Sequence, residues 1–197
     1  MVFGIPANYR FVLASRSPRR RQLLEDAGLI FTVRVKEYDE SVPADLKGRE
    51  IAEFLSRVKA ESFINEVKDP DEVIITADTV VWSDGKVLDK PRDKGDAVRI
   101  LRNISGNTHQ VITGITLLLR GSLNTFSETT RVTFAELSDE EIDFYISNYC
   151  PYDKAGAYGI QEWIGIIGNS YIEGSYFNVM GLPVQKLISA LRELLKD

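Results

Sequence analysis

Four arginines crowd the start of what reads as a helix. Arg16, Arg19, Arg20 and Arg21 surround a Ser-x-Ser-Pro turn that follows an apolar, strand-like run at residues 11–14. Ser17 suits an N-cap, and Pro18 loses nothing at the first helical position, so a helix should open there with unpaired N–H groups facing forward. First turns ordinarily carry acids. Cations at this end therefore predict an anion in front of the helix, most simply a phosphate. The competing reading is a solvated basic helix whose arginines pair with surface carboxylates. Lys59 and Lys90 are further cations that could surround a polyphosphate, and Pro91 fixes the backbone just after Lys90. An arginine fork bridges two phosphate oxygens, whereas a lysine acts as a point charge.

Asp78 interrupts a β-branched and apolar run at residues 73–81. A carboxylate there is costly to bury without a partner, and the partner could be a metal ion, a proton being moved or a set of loop N–H groups. Glu40, in the acidic loop 37–45, is the second candidate acid, and Asp39 beside it is either its substitute or a solvated neighbour. The stretch DKAGAYGIQ contains Lys154 and Gln161 together with Gly156 and Gly159, which permit close backbone approach. The Gln161 amide offers a donor and an acceptor, matching the N–H and carbonyl edge of a thymine or uracil ring. His109 is the only histidine and has no evident nucleophile, so a structural donor near the site is expected. Phosphate-loop, dinucleotide-binding and zinc-protease motifs are absent.

These residues need elements to position them. The pattern predicts a strand over 11–14, a helix from Pro18 stopped by Gly28, a second strand over 31–35 and a helix over 51–67 with Lys59 at the edge of its apolar face. A strand over 72–82 follows, with a hairpin turn at Asp84-Gly85 and a return through Val87-Leu88. Next come a helix over 93–104, two long antiparallel strands over 108–119 and 124–134, a capping-box helix from Ser138 to Ile146, a loop over 149–158 and a last helix over 183–194. This alternation, with one meander, is an α/β fold with a mixed sheet.

The chain of 197 residues carries 24 Lys and Arg against 29 Asp and Glu, a net charge of −5, which argues against a nucleic-acid surface and confines any polyanion to a local basic pocket. One cysteine, Cys150, allows no internal disulfide and suggests a reducing, cytoplasmic setting. No apolar run reaches the length of a membrane span.

The blocks S-x-S-P-R-R, ADTV at residues 77–80, DKPRD at 89–93, SGNTHQVITG at 105–114, DKAGAYGIQ at 153–161 and GSYFNVMGLP at 174–183 resemble, in order and over nearly the whole chain, the Maf or septum-formation-inhibitor-like nucleotide pyrophosphatases. The base-side stretch is similar to the branch that hydrolyses dTTP and UTP. The resemblance implies one Maf-like domain over residues 1–197, with 1–10 as an N-terminal extension. Its implied fold is an elongated mixed sheet flanked by helices, with two lobes around a cleft, similar to inosine triphosphatase. It implies that Asp78, Glu40 and Lys90 are catalytic, with Asp78 the matching base and Glu40 at the metal or water site. Ser15, Arg19, Arg20, Lys59, Thr79, Lys154 and Gln161 are implied to bind substrate, and Glu40 and Asp78 to hold a divalent cation, most simply Mg2+. Asp78 as base without metal contact remains the alternative. A homodimer is implied by likeness alone. Glu162 departs from the pattern, standing where the family usually has glycine. The alternative of another class is a nucleotide-binding regulator of cell division without catalysis, for which acids near a polyphosphate would bring no gain.

Overall fold

The computed structural model describes residues 4–196. The elements in chain order are β1 (Arg10–Leu13), α1 (Pro18–Asp26), β2 (Phe31–Val33), α2 (Arg49–Glu61), β3 (Glu72–Ser83), β4 (Lys86–Val87), α3 (Lys94–Ile104), β5 (Thr108–Leu119), β6 (Ser122–Phe134), α4 (Asp139–Tyr149), α5 (Trp163–Gly168), β7 (Asn169–Glu173), α6 (Tyr176–Met180) and α7 (Val184–Leu194). Local chemistry accounts for most boundaries. Ser17 Oγ accepts the Arg20 N–H at 3.4 Å, and Gly28 adopts φ +77 after α1. Asp93 caps α3, and Ser138 with Glu141 forms the capping box of α4.

The sheet order is β2-β1-β3-β5-β6-β7, with β4 hairpinned onto β3. β1 runs parallel to β2 and β3, and the remaining pairs are antiparallel. The sheet is therefore mixed and flanked by helices, as the alternation of patterns required.

Alternation along β3 and β5 divides the packing. Ile74, Thr76, Asp78 and Val80 face α2, with Thr76 donating to Ser56 O at 2.7 Å and Val80 packed with Ile51 and Ala52. On the opposite face two separate cores form. Val73, Ile75 and Ala77 pack with Leu23, Leu24, Leu187 and Leu191 from α1 and α7, while Val81 and Val111 pack with Ile100, Ile104, Ile142 and Tyr145 from α3 and α4. Thr79 and Thr113, paired in register, lie between the two cores. Two lobes with a gap between them are the result.

Several boundaries differ from the sequence pattern. α2 stops at Glu61 rather than Val67, and its buried side is Ile51, Ala52, Ser56, Lys59 and Ala60, so Lys59 is inside the packed face rather than at its edge. β2 ends at Val33. The stretch after α4 contains two single 3₁₀ turns, Pro151–Asp153 and Ala155–Ala157, the second fixed by Gly156 N donating to Leu88 O at 2.9 Å. α5, β7 and α6 span five or six residues each and escaped the periodicity, being shorter than two helical turns or lying on a polar sheet edge. Residues 1–3 of the expected N-terminal extension and residue 197 lie outside the described residues, whereas Ile5 is buried in the α1 and α7 core.

Candidate active site

The site begins where β3 outruns β1. The last ladder contact of β1 is Ala14 N to Ile75 O at 2.9 Å, and the hairpin resumes pairing at Val81 O, which accepts Leu88 N at 2.8 Å. Between them the backbone edge of β3 at Ala77 and Thr79 is open. Ala77 O cannot stay bare in a buried place, and two cations fill it: Arg20 Nη1 at 2.7 Å and Lys59 Nζ at 3.1 Å. Asp78, one residue on, faces α2 and pairs through Oδ1 with the same Lys59 Nζ at 3.2 Å. Lys59 thus holds both the strand edge and the carboxylate. Burial lowers the Lys59 ammonium below its usual range, and the neighbouring Asp78 only partly offsets this.

Around this edge lies an open cleft of about 1030 Å³ whose walls include all ten residues singled out from the sequence: Ser15, Arg19, Arg20, Glu40, Lys59, Asp78, Thr79, Lys90, Lys154 and Gln161. They come from six separate stretches of chain, and their environments differ. Arg20 is 9 % exposed and spends four of its five N–H donors on protein, bonding Gly181 O at 2.9 Å, Ser15 Oγ at 3.4 Å, Ala77 O and Thr79 Oγ1 at 3.0 Å. At most one N–H remains for a ligand. Arg19 sits on the rim and reaches Asp153 at 3.2 Å. Lys90 is exposed and makes no ion pair with another described residue.

The helix N-terminus is less open than its sequence suggested. Ser17 N is taken by Ser15 Oγ at 3.2 Å and Arg20 N by Ser17 Oγ, and Pro18 has no N–H, so among the described residues Arg19 N is the donor left free at the mouth of α1. Ser15 Oγ accepts two bonds, which leaves its own hydrogen to donate.

On the acidic loop, Glu40 rather than Asp39 lines the cleft; Asp39 caps the Ser41 N–H at 2.9 Å. Tyr38, unnoticed in the sequence, links Glu40 to Lys59. Its hydroxyl donates to Glu40 Oε1 at 2.7 Å, and its ring lies 4.9 Å from Lys59 Nζ, a cation–π distance. Burial first, then the Glu40 hydrogen bond, hold the Tyr38 phenol well above its ordinary range, so it stays a donor. Among the described residues no group of three or more His, Cys, Asp or Glu side chains is assembled to hold a metal.

At the far wall Lys154, 7 % exposed, pairs with Asp153 at 2.8 Å and Glu162 at 3.2 Å. Gln161 Oε1 is buried without a partner among the described residues. His109 does not line the cleft: it is buried and shares a hydrogen bond of 2.7 Å with the hydroxyl of Tyr158, which does.

A sheet edge opened by a short strand, cations drawn to it and two carboxylates beside it thus share one cleft. Residues 10–194 match the model of the family described as Maf-like protein, and the chain belongs to that family. It is 54% identical over 187 residues to a dTTP/UTP pyrophosphatase of Phocaeicola vulgatus, covering 94% of this chain and 96% of that protein. Proteins of the same description from Bacteroides thetaiotaomicron, at 50% identity with the same coverage, and Porphyromonas gingivalis, at 48% with 94% of each chain covered, are also similar. Among solved structures the Ham1 protein of Staphylococcus aureus is similar at a TM-score of 0.45 and 13% identity, covering 64% of this chain and 72% of that one.

Proposed function

We propose that this chain hydrolyses dTTP and UTP between the α and β phosphates, releasing the nucleoside monophosphate and pyrophosphate. The observation that carries the reading is the Lys59–Asp78 pair at the open edge of β3, in one cleft with Arg19, Lys90 and Glu40. The names of relatives that align over nearly the full chain supply the nucleotide class.

In this reading Arg19, its main-chain N–H and Lys90 bind the phosphates, and Arg20 holds the floor on which they rest. Asp78 takes a proton from the attacking water as its oxygen bonds to the α phosphorus and the pyrophosphate oxygen leaves. Lys59 keeps the Asp78 carboxylate oriented, and Gln161 meets the pyrimidine edge. The oxygen donors of Asp78 and Glu40 are of the hard kind that Mg2+ takes, and two carboxylates completed by substrate oxygens and water suit its habit of few protein ligands. When bound it would supply charge neutralisation on the phosphates and a more acidic water. A homodimer in the cytoplasm, as the family likeness implies, belongs to the same proposal.

Asp78→Asn tests the reading. It preserves shape and the Lys59 contact while removing the base, so turnover of UTP with Mg2+ should fall by about 10²-fold or more with the fold intact by circular dichroism. Full turnover in that variant would refute the assignment. A regulator that only binds nucleotide would show UTP binding in the wild type without pyrophosphate release.

A further inference from the structure

Glu162 does not line the cleft, but its two neighbours in space, Gly159 and Gln161, do. Its carboxylate is held from both sides. Oε1 lies 3.2 Å from Lys154 Nζ, and Oε2 accepts the Tyr145 hydroxyl. The same hydroxyl accepts the Gly159 N–H at 3.0 Å, and Glu162 N donates to Gly159 O at 3.0 Å, closing a turn across residues 159–162. The fit leaves no slack: a Cβ on Gly159 would stand 2.7 Å from Glu162 Cδ, so the carboxylate lies flat against that glycine. Burial, then the Glu162 contact, raise the Tyr145 phenol above its ordinary range and keep it protonated to donate. Tyr145 is fully buried on α4 in the α3 and α4 core, so the turn is stapled to the rigid part of its lobe.

Gln161 sits inside this turn with Oε1 buried and without a partner among the described residues. A primary amide can rotate and exchange its donor and acceptor. An amide free to do so would satisfy the imide edge of uracil or thymine and, turned over, the amino-pyrimidine edge of cytosine. Only an amide held in one orientation rejects the wrong base, because the mismatch then leaves buried groups unpaired. We propose that Glu162 is a specificity-positioning residue: through Lys154, Tyr145 and Gly159 it fixes the turn that presents Gln161, and so sets the preference for imide-bearing pyrimidines over cytosine. This inference rests on the dTTP/UTP reading and adds to it the device that enforces base choice.

The test compares wild type, Glu162→Gln and Tyr145→Phe on UTP and CTP, measuring pyrophosphate release with Mg2+. Both variants should raise KM for UTP about tenfold, leave kcat within about twofold, and lower the UTP-over-CTP ratio of kcat/KM about tenfold, as expected for loosening one hydrogen bond to a charged group. The double variant should be no worse than the weaker single, because both act on one carboxylate. Should Glu162→Gln fail to fold, Tyr145→Phe carries the test, since it removes one oxygen and leaves the Lys154–Glu162 pair. Variants that melt earlier yet keep the wild-type KM and base preference, or that lose kcat equally on both nucleotides, overturn the positioning role. A wild type that cleaves neither UTP nor dTTP brings down the underlying reading as well, which distinguishes the two failures.

Discussion

Arg19 and Arg20 are adjacent, follow the same Ser-Pro turn and differ in kind. Arg20 is buried and bridges α1, β3 and the Gly181 carbonyl, with burial lowering its guanidinium from the usual range although it stays charged. Removing it as Arg20→Ala leaves the Ala77 and Gly181 carbonyls short of partners, and urea denaturation should report a loss of about 2–4 kcal/mol. Arg19→Ala removes a rim pair worth less than about 1 kcal/mol, so its stability should barely change while KM for UTP rises. The sequence marked both as phosphate ligands because the spacing of charges carries no information on which one turns inward. Asp78 was legible for a better reason, since a carboxylate inside an apolar strand announces that something must pair with it. That the partner is Lys59, and that Tyr38 lies against both Lys59 and Glu40, had no local signal; these contacts join residues 38, 40, 59 and 78 only after folding.

At the scale of elements, the Lys59–Asp78 contact depends on how closely α2 approaches the sheet. Gly114 pairs with Asp78 across β3 and β5, and a Cβ there would meet Ala52 O at 2.1 Å and Ala52 C at 2.3 Å. The missing side chain lets the α2 backbone settle on the strand. Gly114→Ala should therefore lift α2, destabilise the protein by about 3 kcal/mol in denaturation and lower UTP turnover in the surviving folded fraction. The two-residue alternation of β3, β5 and β6 and the caps of α3 and α4 could be read directly, because long regular elements repeat their signal. The rotation of α2 could not, since Ser56 and Lys59 are buried through hydrogen bonds rather than through apolar character. Residues 163–180 were opaque for a different reason: Gly165 is there because Ile160 O would stand 1.9 Å from its Cβ, a tertiary cause invisible to any pattern.

At the scale of the whole molecule, two lobes on one face of the sheet meet over Thr79 and Thr113, and Arg19 on α1 spans the gap to Asp153 in the opposite lobe. The cleft is therefore bounded by both cores, and the integrity of each bears on it. His109 gives a pH signature of the α3 and α4 lobe. Burial depresses its imidazole from 6.5 to about 4. Between those values the unfolded chain binds a proton that the folded chain does not, so this residue's contribution is complete above pH 6.5 and is lost as pH falls toward 4, by about 3 kcal/mol in all. His109→Gln should flatten that part of the stability–pH curve measured by denaturation. The convergence of ten separately chosen residues on one cleft could be anticipated from the family resemblance, whereas the open edge of β3 that gathers them follows from the short β1, visible only in the register. The central claim is cleavage of a pyrimidine triphosphate at the α–β bond, and the most direct measurement is the product ratio from UTP with Mg2+, resolved by phosphorus NMR. Equal amounts of UMP and pyrophosphate, formed by the wild type and strongly reduced in Asp78→Asn, are the predicted result; UDP with orthophosphate, or UTP left intact, would contradict it.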